Sequence, residues 1–346
     1  MIILKKVIIL ILILVLCGGT VACKYDKAEV PDKLNSVNLS TDYEINQALQ
    51  DIKVLNANTV NVPIVIKIPS LESNKMIIDE YSKNKAIQII KILKENNKTV
   101  ILEAFPWIDN GSKYETEYNP KDKEQFFNDW KSILSELIDE VAVPCKVDII
   151  NTASNFSKLE PYEQHWCDII DFTKKRFKGL VTYKTSWWYT AKWDLKSKEL
   201  YNEKLNNKLF SKVDFISIAA YFELSDKPIN TVEELVKCIN SSTVNNRNQN
   251  IKQEIENFAN KYNKKIFLGE LGFPRLEYAA THPWNNNVSD LVNGDEQARC
   301  FNAYKIAFDN EKYIKGFSIF AVGQKGKDKM FYPSKESMNF IKLWYE

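Results

Sequence analysis

The chain predicts a single parallel (β/α)8 TIM barrel, an α/β fold. Three observations point there: short β-branched or apolar runs alternate with amphipathic helical stretches, eight such units can be counted, and a 346-residue chain with 45% apolar residues suits one large body better than two modest ones. Leu34 to Leu39 is a weak first strand, followed by a helical pattern through Ile45, Leu49, Ile52 and Leu55. Asn58 to Ile68 holds the run Thr59-Val60-Asn61-Val62, and a helix is expected from about Met76 to Asn96, with Ile87, Ile90 and Leu93 on one face. Thr99 to Phe105 is the third strand and Phe126 to Ile138 its helix; Cys145 to Ile150 is the fourth, followed by a helix from Tyr162 to Phe177. Leu180 to Tyr183, Val213 to Ala220, Ile266 to Leu271 and Gly316 to Val322 complete the set, with helices at Ile251 to Tyr262 and Glu296 to Phe308. Right-handed crossovers would bury each strand behind its helix. The polar stretch Asn240 to Asn250 reads as a solvated loop.

The first residues concern export. Lys5 and Lys6 precede the apolar run Val7 to Leu16, too short for a membrane span and in the order of an export signal. Ala22 then precedes Cys23, which resembles a bacterial lipobox whose Cys is lipidated. The expected organisation is a lipoprotein-type signal peptide over 1–22, a tether over 23–33 and the barrel over 34–346. The protein is expected outside the cytoplasm, anchored to the membrane by lipid on Cys23; the alternative is ordinary secretion after cleavage near Ala22.

Composition excludes several function classes. Lys+Arg 47 against Asp+Glu 45 gives a formal charge of +2, so no global field favours nucleic acid. Cys145, Cys167, Cys238 and Cys300 are widely spaced without a C-x-x-C pair, which argues against structural zinc. They are expected as buried thiols, with a Cys145–Cys167 disulfide as the alternative. Only His165 and His282 supply imidazoles, so neither a His-based metal centre nor a Ser-His-Asp triad is expected, and no cofactor is called for.

In this fold the C-terminal ends of the strands build the site. Glu270, at the end of an apolar run and flanked by Gly269 and Gly272, is the first catalytic candidate; the competing reading is a structural pair with Arg275. The other strand ends bring Glu103 with Trp107, Asn151, Trp187 with Trp188, Tyr221 and Phe320, and Trp284 follows the seventh strand. Indole faces among a few polar groups suit a sugar ring, whose C–H face stacks while its hydroxyls hydrogen-bond. An oligo- or polysaccharide is the expected partner.

From about Leu34 onward the chain resembles glycoside hydrolase family 113, the β-mannanase-type barrels. The resemblance rests on Phe215-Ile216-Ser217-Ile218-Ala219-Ala220-Tyr221-Phe222, Phe267-Leu268-Gly269-Glu270-Leu271-Gly272-Phe273, Lys178 to Tyr183, Pro283-Trp284 and Asp295-Glu296-Gln297-Ala298. It implies a retaining glycosidase with Glu270 as nucleophile and Tyr221 orienting it; the strand-end reading adds Trp107, Asn151, Trp187, Trp188, Trp284 and Phe320 as the expected sugar contacts. It also implies a general acid/base Glu ending the fourth strand. The corresponding residues here are Ile150-Asn151-Thr152-Ala153-Ser154-Asn155, where Thr152 or Ala153 takes the Glu position according to register. Phe320 also stands where a Trp is usual. Two readings follow: a glycosidase with a relocated acid, for which Glu103, Glu160, Glu163 and Glu223 are candidates, or a non-catalytic glycan-binding lipoprotein.

Overall fold

The structure is a computed structural model that describes residues 30–346. The export segment and Cys23 lie outside the described residues. Strands β1 (Leu34–Leu39), β2 (Thr59–Ile68), β4 (Thr99–Ile108), β5 (Ile149–Ser154), β6 (Leu180–Ser186), β7 (Phe215–Ala219), β8 (Ile266–Leu271) and β9 (Ile314–Val322) are parallel. Because β1 pairs with both β2 and β9, the sheet closes into an eight-stranded TIM barrel with helices between the strands. A two-residue strand β3 (Ile77–Ile78) runs antiparallel to the outer end of β2.

Two boundaries differ from the sequence reading. The helix expected from Met76 begins at Glu80, because Ile77 and Ile78 pair with Lys67 and Ile66 while the Asp79 carboxylate caps the helix by accepting from the amides of Tyr81 and Ser82. The fourth barrel strand lies at Ile149–Ser154 rather than Cys145 to Ile150. Its polar half is satisfied by neighbours: the Thr152 hydroxyl donates to the Thr182 carbonyl at 2.8 Å, and the Thr152 carbonyl accepts from the Trp130 indole at 2.9 Å. The stretch 240–250 is not simply solvated either. Ser242 and Gln249 are buried, bonding to the Glu223 carbonyl and the Glu254 carboxylate.

The barrel interior is layered. At the end where the strands begin, Leu34, Ile101, Ile149, Phe215 and Phe267 form an apolar plug against which Val30 and Leu180 pack. Towards the other end the interior turns polar, with Asn38, Asn61, Glu103, Lys184 and Glu270 all buried. The four cysteines of the barrel are buried free thiols. Among the described residues no helix is long and apolar enough to cross a membrane.

Candidate active site

Glu270 stands at the outer end of β8 and is 4% exposed, on the floor of a cavity of about 670 Å3 at the C-terminal mouth. The flanking glycines admit close packing within the protein. A Cβ on Gly269 would lie 2.0 Å from the Ser217 hydroxyl of β7, and one on Gly272 would lie 3.2 Å from the Tyr221 ring and the Phe320 side chain. Their absence lets β8 press against its neighbours, which fixes the Glu270 side chain over the floor.

The cation beside Glu270 is Lys184 of β6, not Arg275, whose guanidinium instead serves the carbonyls of Gly326 and Lys329. Lys184 is 1% exposed, and its ammonium lies 2.5 Å from Oε1 of Glu270 and 2.6 Å from Oε1 of Glu103. The two carboxylates therefore lie within about 5 Å of each other, the separation expected of a retaining pair. Their chemistry is nevertheless that of an ion triad. Burial works against the Lys184 charge, but Glu103 and Glu270 outweigh it and raise its pKa, so Lys184 stays cationic. For Glu270, burial and the charge of Glu103 raise the pKa against the pull of Lys184. Asn61 bonds the second oxygen of Glu103 at 2.5 Å and also reaches Asn38, which in turn donates to the Gly269 carbonyl at 3.0 Å and the Ser318 hydroxyl at 2.8 Å. Glu103 is thus committed to the floor network.

At the end of β5 the residue facing Glu270 is neutral. Thr152 and Ala153 are buried in the wall; Asn155 lines the cavity, with its Nδ2 3.2 Å from Oε2 of Glu270. Asn155 sits at φ 57°, a left-handed conformation that Asn tolerates, and its amide donates to the Lys184 carbonyl at 3.1 Å. Its buried Oδ1 has no partner among the described residues.

Of the aromatic candidates, Trp107, Trp187, Tyr221, Trp284 and Phe320 all line the cavity. Tyr221, Phe320 and Phe331 form an edge-to-face trio with ring centroids 5.5–6.2 Å apart. Burial and the neighbouring Glu270 charge push the Tyr221 hydroxyl well above its ordinary pKa, so it remains a donor. Trp284 is 37% exposed at the rim, its indole nitrogen held 3.1 Å from Glu223. Two other candidates are not brought to the cavity. Trp188 is buried behind the wall against Tyr201, Phe222 and Phe258, its indole donating to Glu254 at 2.8 Å. Asn151 lies beneath the floor, in register with Glu103 and Thr182.

The carboxylates considered as substitute acids are also committed. Glu160 pairs with Lys204 and accepts from Thr185 at 2.5 Å; Glu223 pairs with Arg247 and meets the His282 ring at 3.0 Å; Glu163 accepts from the Lys208 amide at 2.6 Å. The sequence reading missed three groups: Lys184, Asn155 and Glu115. Lys184 had a visible signal, a lone Lys directly after the run Leu180-Val181-Thr182-Tyr183 at the spacing of an inward side chain. Among the described residues no cluster of three or more His, Cys, Asp or Glu could hold a metal.

A closed parallel barrel with a buried carboxylate under an aromatic cleft defines a glycosidase-type scaffold. The model for glycoside hydrolase family 113 matches residues 40–337, and the chain belongs to that family. A solved family 113 β-1,4-mannanase in complex superposes with a TM-score of 0.68 at 17% identity, covering 90% of this chain and 98% of that one. The family 113 β-mannanase of Alicyclobacillus acidocaldarius in complex with ManMIm gives 0.70 at 14% identity, covering 92% and 98%. The β-D-glucuronidase of Dictyoglomus thermophilum gives 0.58 at 13% identity, covering 92% of this chain and 51% of that one. At these identities the likeness speaks for the fold. No curated protein matches the chain.

Proposed function

We propose that the protein is an extracytoplasmic, lipid-anchored glycoside hydrolase that holds a β-linked glycan of mannan type in the aromatic cleft. It cleaves that glycan by a retaining route with Glu270 as nucleophile and Tyr221 orienting it. The observation that carries the reading is Glu270 itself, fixed between Lys184 and Asn155 on the floor of an aromatic-lined cavity in a family 113 barrel. Trp107, Trp187, Trp284 and Phe320 supply the stacking surfaces, and the substrate class follows from what the solved family 113 structures are named for. Mass spectrometry after incubation with an activated 2-deoxy-2-fluoro-β-mannoside tests it: a covalent adduct on the peptide bearing Glu270, absent in Glu270→Gln, is expected. Binding of manno-oligosaccharide without any adduct would replace this reading with a second, a non-catalytic glycan-binding lipoprotein, which the neutral Asn155 at the end of β5 favours.

A further inference from the structure

We propose that Glu115, carried on the loop after β4, is the proton donor to the departing glycosidic oxygen, replacing the carboxylate that the end of β5 lacks. This rests on the glycosidase reading above and adds the residue that reading leaves unassigned.

Placement carries the assignment. Glu115 opens a 3-10 turn, Glu115–Glu117, and lines the same cavity as Glu270 and Asn155. The turn is fixed over the end of β5. Three residues on, Tyr118 is fully buried and its ring packs 5.8 Å from Phe156, the residue directly after Asn155, and 5.7 Å from Phe126. The Tyr118 hydroxyl donates to the Ser73 carbonyl at 2.7 Å, and the amides of Asn119 and Lys121 donate to the carbonyls of Leu71 and Glu72 at 2.8 and 3.1 Å. On its other side the loop folds against Trp107, where a Cβ on Gly111 would strike the indole at 2.4 Å; Gly111, at φ 81°, is one of the few residues this path allows.

Charge separates Glu115 from every other acid weighed. Glu103, Glu160, Glu163 and Glu223 each have a cation close by, whereas Glu115 makes no ion pair among the described residues. The floor presents it with Glu270, Glu103 and Lys184, and Tyr221 faces it from the end of β7. The charged groups at the rim are Lys113 and Glu117 of its own loop, with Asp42, Asp328 and Lys329 opposite, Lys329 being paired to Asp42. Desolvation at its half-buried place in the cavity, followed by the Glu270 charge, pushes the Glu115 carboxyl up to about 8, so it holds its proton at neutral pH.

The steps balance. A Glu270 oxygen bonds to the anomeric carbon as the bond to the leaving oxygen breaks, and the Glu115 proton passes to that oxygen. The Glu115 carboxylate then takes a proton from water as the water oxygen attacks the anomeric carbon, which releases Glu270 and restores the acid. Above about pH 8 the donor is lost, so oligosaccharide hydrolysis falls as pH rises through that value.

The test compares wild type, Glu115→Gln and Glu115→Asp on manno-oligosaccharide and on 2,4-dinitrophenyl β-mannoside, whose leaving group departs unprotonated. For Glu115→Gln we expect a loss of about 10²–10⁴-fold on oligosaccharide, unimpaired formation of the adduct from the dinitrophenyl substrate, azide rescue with a glycosyl azide product, and no basic limb in the pH profile. Glu115→Asp should recover part of the oligosaccharide rate and keeps the test decisive if the Gln variant fails to fold. Equal oligosaccharide rates in wild type and both variants, with Glu270 still labelled by the fluoro-sugar, would overturn the role of Glu115 and leave the glycosidase reading standing. Wild type with neither turnover nor label would overturn both.

Discussion

Lys184 decides what Glu103 and Glu270 can be. Two carboxylates about 5 Å apart in a buried floor repel strongly enough to force a proton onto one of them; an ammonium between them offsets that repulsion, although burial and Glu103 still hold the Glu270 pKa up. In Lys184→Met we expect a loss of about 3–5 kcal/mol in urea unfolding near neutral pH, because the partners are left as uncompensated buried charge. In that variant one carboxyl is held above its unfolded value. Its stability should therefore fall as pH rises past the ordinary carboxylate range, and adding Glu103→Gln should return part of it. An unchanged urea midpoint in Lys184→Met would show that the triad contributes nothing.

Trp188 in the core and Trp284 at the rim separate packing from the proposed binding. Trp188 is core, so Trp188→Ala should cost about 3–5 kcal/mol of stability. Trp284 lines the cavity at its rim and is the proposed stacking platform, so Trp284→Ala should weaken manno-oligosaccharide binding by about 1–2 kcal/mol and leave the unfolding transition near its place. Calorimetric binding and thermal melts of the two variants check the contrast, which fails if Trp188→Ala loses binding without losing stability.

At the scale of elements, β8 fits beside β7 because Gly269 leaves room for the Ser217 hydroxyl. A methyl at Gly269 would meet the Ser217 hydroxyl, so Gly269→Ala should destabilise the barrel by about 1–3 kcal/mol and disturb Glu270 one residue away. Ser217→Gly in the same chain should relieve part of the loss; if the double variant is no better than the single, the close approach is not what Gly269 provides. Much of this architecture was legible in the chain. Runs such as Thr59 to Ile68 and Ile266 to Leu271 announce buried parallel strands, since both faces of each are covered and no polar residue need alternate. The outer half of β5 was not legible: Asn151-Thr152-Ala153-Ser154 has no strand signature and becomes strand through bonds supplied by Thr182 and Trp130, which lie far away in sequence. The same distance hid the site partners. Glu270 and Tyr221 announced themselves by position on strand ends, whereas Glu115 sits in a polar loop whose path depends on Tyr118 meeting Phe156.

For the whole molecule, the proposed lipid on Cys23 makes a simple physical claim, that the chain partitions with membrane. Wild type should enter the detergent phase of a Triton X-114 extraction and Cys23→Ala should remain aqueous. Equal partitioning of both would leave secretion as the export route.

The apolar plug gives that anchor a direction. Val30, seven residues beyond Cys23, packs against the end of the barrel where the strands begin, and the cavity opens at the end where they finish. A chain tied down at Cys23 would therefore stand on its sealed base with its mouth turned from the bilayer. A polymer arriving from the surroundings would then meet the cleft without threading between protein and headgroups.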